Sequence, residues 1–168
     1  CDTDFWGADG IGGGKFETPE MLADAICKEW PGGDLNDGFP YVVFTGGEPL
    51  LQLDKPLIDA MHERNFEVSI ETNGTIIAPK GVDWICVSPK ANADLELISG
   101  NELKLIHPQK GAEPEKYVNL DFEYFYLQPM DGVNKEKAKE NTASVLKYCM
   151  DHPQWRMSLQ THKILDIP

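Results

Sequence analysis

The sequence contains no apolar run long enough to cross a bilayer and no basic, signal-like start, which speaks against a membrane partner and for a cytoplasmic protein. Basic residues are scarce: 15 Lys and Arg stand against 28 Asp and Glu, a formal net charge of −13. That sign opposes the neutralisation of a run of phosphates, so nucleic acid is not an expected partner. Cysteine is sparse as well, and Cys1, Cys27, Cys86 and Cys149 lie far apart, a pattern unlike a disulfide framework. Cys27 and Cys149 fall in helical patterns and Cys86 in an apolar strand, where packing accounts for them. Cys1 differs, since it opens a polar Cys-Asp-Thr-Asp segment. A chain starting with Cys rather than Met leads us to expect further residues upstream. Internal repeats, low-complexity tracts and linker-like shifts in composition are all lacking. The 168 residues, 41% hydrophobic, suffice for one core and are too few to expect two, so a single domain over 1–168 is expected.

What is present alternates between strand and helix patterns. Thr18-Pro19 supplies an N-cap and a proline at the first helical position. Leu22, Ala25, Ile26 and Trp30 recur at helical spacing until Pro31-Gly32-Gly33 stops them. Tyr41–Phe44 is short, apolar and bounded by glycine and proline, which predicts a buried parallel strand. Leu53, Leu57, Ile58 and Met61 mark a second helix, and 67–70 a strand ending in the turn signal Thr72-Asn73-Gly74. Further strands are predicted at 84–87, 103–106, 124–127 and 157–159. A long helix over 135–150 is predicted to turn Ala138, Val145, Leu146 and Cys149 inward. Such alternation specifies an α/β protein with a parallel sheet. Several strands are joined by little more than loop, so the helical layer is thin and a partial, TIM-like barrel is expected.

In parallel α/β proteins, ligands sit at the carboxyl ends of the strands. The segments found there are Thr45-Gly46-Gly47-Glu48-Pro49, Glu71-Thr72-Asn73-Gly74, Ser88-Pro89-Lys90, Gln128-Pro129-Met130-Asp131 and Gln160-Thr161-His162-Lys163. Each alone reads as an ordinary turn or solvated loop. Together they supply carboxylates, a lysine, a histidine and several amides, a set suited to a polar, multifunctional ligand.

The Gly46-Gly47-Glu48-Pro49 segment after an apolar strand resembles the signature of radical SAM enzymes, and Cys1 resembles the last of their three cluster-binding cysteines. Within that group, Cys1-Asp2-Thr3-Asp4-Phe5, Ser88-Pro89-Lys90, Gln128-Pro129-Met130-Asp131 and Gln160-Thr161-His162-Lys163 running to Pro168 are similar to the 7-carboxy-7-deazaguanine synthases. The resemblance reaches from the first residue to the last. It implies a 4Fe-4S cluster, S-adenosylmethionine (SAM) and Mg2+ as cofactors, with Cys1 on the cluster and the Thr3 hydroxyl on magnesium, a hard cation that takes oxygen donors. It further implies that Gly46, Gly47, Glu48, Ser88, Pro89, Lys90, Gln128, Pro129, Met130 and Asp131 hold SAM. Thr45, His162 and Pro168 are implied at the substrate, His162 either bonding it or packing beside it. The carboxylate of Pro168 would serve as a bidentate acceptor for adjacent N–H donors of a pterin.

The reaction so implied turns 6-carboxy-5,6,7,8-tetrahydropterin into 7-carboxy-7-deazaguanine with loss of ammonia, in queuosine and 7-deazapurine biosynthesis. A reducing electron donor such as flavodoxin and a homodimeric assembly go with it. The resemblance requires two cluster cysteines upstream of Cys1, because Cys27, Cys86 and Cys149 lack the spacing to replace them. Two other readings use the same scaffold: another small radical SAM enzyme such as an activase, or a cluster-free domain binding a nucleotide-like ligand.

Overall fold

The computed structural model describes residues 13–30 and 38–165. They divide into two compact units, one running to Thr72 and including Ile76–Ile85, the other comprising Asn73–Thr75 and the chain from Cys86 onward.

In the first unit, helix α1 (Pro19–Glu29) begins where the sequence predicts, with the Thr18 hydroxyl accepting the Met21 N–H. Helix α2 (Lys55–Glu63) starts two residues after Leu53 because Asp54 is its cap and accepts the Leu57 N–H. The two helices pack on each other, and the Arg64 guanidinium ties them together through two hydrogen bonds to Asp24 Oδ1, at 3.0 and 2.7 Å. Strands β1 (Tyr41–Phe44) and β2 (Glu67–Thr72) pair in parallel, Tyr41 opposite Glu67 and Phe44 opposite Ile70. The core includes Ala23, Leu57, Ile58, Met61, Val68 and Ile70. Complete burial of each large aliphatic side chain contributes about 1.5–3 kcal/mol before entropy is counted.

One expectation for this unit is corrected. Strand β1 is parallel but not buried, with Tyr41 and Val43 41% and 44% exposed. An apolar run shows that a strand forms; whether another layer covers both its faces depends on distant residues.

Strand β3 (Trp84–Val87) enters the second unit at Cys86, and there β3, β4 (Ser99–His107), β5 (Asp121–Pro129) and β6 (Trp155–Met157) pair in succession, every pair parallel. The register sets Val87 opposite Leu103, His107 opposite Pro129 and Leu127 opposite Met157. Helix α3 (Lys135–Asp151) lies against β5 and β6, and a five-residue helix α4 (Thr161–Leu165) follows β6. Leu103, Leu105, Leu127, Val145 and Trp155 form the core, with Trp155 edge-to-face on Phe125 at 5.3 Å.

Two further expectations fail here. Strand β6 lies two residues earlier than predicted, because the chain is anchored by the bulky Trp155 rather than by Leu159, which is 48% exposed. On α3 the inward positions are Asn141 and Val145, while Leu146 is 50% exposed. A buried carboxamide falls where apolar periodicity would place a hydrocarbon. Cys27, Cys86 and Cys149 are free thiols, Cys86 buried and the others half-buried, and burial raises the pKa of Cys149, as suits a packing role.

Candidate active site

Parallel pairing aligns the carboxyl ends of neighbouring strands, and in each unit the segments selected from sequence occupy that edge. In the first unit Thr45 leaves β1 exposed to solvent and Gly46 follows with φ of +114°, open space lying where a Cβ would project. Backbone of that sign favours glycine, so this turn is set by conformation rather than by crowding. Glu48 then caps a 3-10 turn over Pro49–Leu51. Its Oε1 accepts the Leu50 N–H at 3.1 Å and the Thr72 hydroxyl at 2.6 Å. Thr72 closes β2 and is 3% exposed. The carboxylate is thereby fixed by the end of the adjacent strand. A cavity of about 340 Å³ opens beside Thr45, walled by Leu22, Phe44, Pro49, Leu53 and Leu57 among others.

In the second unit the turn after β2 is drawn tight by Asn73, whose Oδ1 accepts both the N–H and the hydroxyl of Thr75. After β3, Ser88 is half-buried, Pro89 buried and Lys90 exposed. The Lys90 ammonium folds back to donate to the Ser88 carbonyl and Oγ, both at 2.9 Å. Behind this loop, Gln109 Oε1 accepts the Ala91 N–H at 3.1 Å, while Gln109 Nε2 is buried without a partner. Buried donors of this kind are commonly met by ordered water or by a bound polar group.

After β5, Met130 donates its N–H to the His107 carbonyl at 2.8 Å. Asn141 Nδ2 donates to the Met130 carbonyl at 2.8 Å. Lys163 Nζ meets Asp131 Oδ2 at 2.8 Å, and that hydrogen bond holds the Asp131 carboxyl below its usual pKa. His162 stands exposed in the first turn of α4. The Gln160–Lys163 segment is thus partly helix rather than a plain loop, and the cation it contributes at Asp131 is Lys163. Nearby, His107 titrates below its ordinary range because it is buried. Glu115 accepts the Tyr148 hydroxyl at 2.8 Å, and burial together with this bond pushes Tyr148 up to about 12.

Cys1, Thr3 and Pro168 lie outside the described residues, so their expected roles at the cluster, at magnesium and at the substrate are without structural description. Among the described residues no group of three or more His, Cys, Asp or Glu is placed to hold a metal ion, and no helix is long and apolar enough to cross a membrane. Thr72 stands in one of the strand-end segments that the sequence picks out, whereas Gln109 and Asn141 carry no signal there.

No protein-family model matches the chain. Over all 168 of its residues it is 57% identical to the 7-carboxy-7-deazaguanine synthase of Caulobacter vibrioides, spanning 77% of that protein. The chain belongs to the 7-carboxy-7-deazaguanine synthase family. The synthase of Bordetella pertussis is 55% identical over the same 168 residues, again with 77% of its length covered. Among solved structures, QueE from Escherichia coli superposes with a TM-score of 0.63 at 27% identity, over 84% of this chain and 63% of that one. That likeness carries the expected fold class, parallel strands with few helices on a partial TIM-like plan. In parallel α/β folds of this kind, loops at the carboxyl ends of the strands are where ligand sites are commonly found.

Proposed function

We propose that the protein carries out the ring contraction of 6-carboxy-5,6,7,8-tetrahydropterin to 7-carboxy-7-deazaguanine and ammonia, within queuosine and 7-deazapurine biosynthesis. The observation that carries this reading is the turn from Thr45 to Pro49. It ends a parallel strand, needs glycine at position 46, and presents a carboxylate already tied to the next strand through Thr72. Identity of 57% to a synthase of this name over the whole chain supports it.

SAM would be held by the Gly46–Glu48 turn, the Ser88–Lys90 loop and the Gln128–Asp131 loop, with a 4Fe-4S cluster that includes Cys1 and a magnesium ion at Thr3. When bound, the cluster and SAM supply one-electron reduction and a carbon-centred radical able to abstract a hydrogen atom. The protein's own part is binding, orientation and shielding. The Gly46 turn brings main chain close to the ligand, and Glu48, accepting rather than donating, suits an ammonium such as the amino group of a methionine moiety. The substrate carboxylate is repelled by an acidic chain, and magnesium at Thr3 would offset that repulsion. Thr45 would meet the substrate at the end of β1.

The test is anaerobic reconstitution of a form carrying all three cluster cysteines, incubated with SAM, a reductant, magnesium and the carboxypterin. One ammonia per deazapurine formed is the expected outcome. SAM cleavage without pterin conversion would indicate another radical SAM activity, and failure to take up iron would indicate a cluster-free binding domain. Thr3→Ala should weaken the magnesium dependence of turnover with iron content unchanged; an unaltered magnesium titration would remove that role.

A further inference from the structure

Among the described residues only three polar side chains are buried, Ser69, Thr72 and Asn141. Asn141 is the one that sits on a helix, 4% exposed on an α3 otherwise rich in Lys and Glu. A carboxamide in that position is tolerated only if its hydrogen-bonding groups are used. Its amide donates to the main-chain carbonyl of Met130, at 2.8 Å. The same residue is also held through its N–H, which donates to the His107 carbonyl at 2.8 Å. One residue past Asp131, a Cβ on Gly132 would lie 2.4 Å from the Ala138 nitrogen and 2.8 Å from the Lys137 carbonyl carbon. At that distance the loop touches the backbone of α3 itself, and no side chain could intervene. The direction of the chain from Met130 to Gly132 is therefore dictated by α3, and the specific chemical link is Asn141.

We propose that Asn141 is a positioning residue for the cofactor loop: through the Met130 carbonyl it orients Gln128–Asp131 for SAM without touching SAM. This rests on the assignment of that loop to SAM made above. A core hydrocarbon at 141 would fill the space but leave the Met130 carbonyl without its donor. An aspartate would keep the shape and set an acceptor against an acceptor. The role separates from mere packing because packing loss lowers stability everywhere, whereas loss of orientation appears in ligand affinity and in the local mobility of one segment.

The experiment compares the cluster-loaded wild type with Asn141→Leu and Asn141→Asp. SAM affinity is measured by titration calorimetry, and amide hydrogen exchange is followed in the absence of SAM. Both variants should weaken SAM binding about tenfold or more, with exchange accelerated at Met130–Gly132 and unchanged in the Leu50–Leu53 segment. If Asn141→Leu does not accumulate in soluble form, the near-isosteric Asn141→Asp carries the comparison. SAM affinity within about twofold of wild type in either folded variant would overturn the proposal while leaving the functional reading intact. Absence of SAM binding in the wild type would overturn the functional reading and this proposal with it.

Discussion

Replacing Thr72 with valine tests the anchoring of Glu48 with almost no change in shape. The bond removed is the 2.6 Å contact from the Thr72 hydroxyl to Glu48 Oε1. Hydrogen bonds to ionised groups contribute about 1.5–3 kcal/mol. Because Glu48 retains the Leu50 N–H at 3.1 Å, the expected loss lies near the lower end, about 1.5 kcal/mol. In urea unfolding followed by circular dichroism, that loss moves the midpoint by about 0.5–1.5 M. Thr72→Ser supplies the contrast, since it keeps the hydroxyl and deletes a methyl group from a side chain 3% exposed, at a cost of about 0.5–1.5 kcal/mol. Stability alone separates the two variants weakly, so SAM binding decides. The serine variant should bind SAM like the wild type and the valine variant more weakly, because only valine frees the carboxylate to turn away. A valine variant as stable as the wild type and equal to it in SAM affinity would refute the anchoring argument.

Trp155→Ala empties a position 2% exposed and removes the edge-to-face contact with Phe125. The cost is about 3–5 kcal/mol, read by calorimetry as a fall in Tm on the order of 10 °C; a fall below roughly 3 °C would contradict the assignment of Trp155 as the anchor of β6. Tyr148 should titrate near 12 in the folded protein, against about 10 unfolded, followed by ultraviolet difference absorbance. Its pKa is raised on folding, so the stability it contributes is complete below about pH 10 and is lost as pH rises toward 12. The stability–pH profile of Tyr148→Phe should lack that loss, and an unchanged alkaline limb would rule the linkage out.

Much of the fold is legible in the sequence. Helix α1 was readable because Thr18 and Pro19 mark its start, and β1 because glycine and proline punctuate both its ends. The strand-end segments can be picked out by position, because they follow the carboxyl ends of parallel strands, although Ser88, Lys90 and Asp131 taken singly read as solvated turns. What escaped depends on partners far away in sequence. The exposure of Tyr41 and Val43 is decided by what covers β1. The strand around Trp155 is hidden in the sequence because polar Gln154 and Arg156 flank that residue. Asn141 faces inward for the sake of a carbonyl eleven residues earlier in the chain, a demand that periodicity cannot express. Gln109 likewise owes its placement to Ala91, eighteen residues away.

The contact between Gly132 and the first turn of α3 bears on how chain length can vary among relatives. A loop seated directly on helix backbone has no slack, so one residue gained or lost between Pro129 and Asn134 would rotate the Met130 carbonyl away from Asn141 and spoil the start of the helix together. Insertions and deletions in the family are therefore expected to avoid this stretch and to accumulate in connections that no helix presses upon, whatever side chains the loop itself has come to carry.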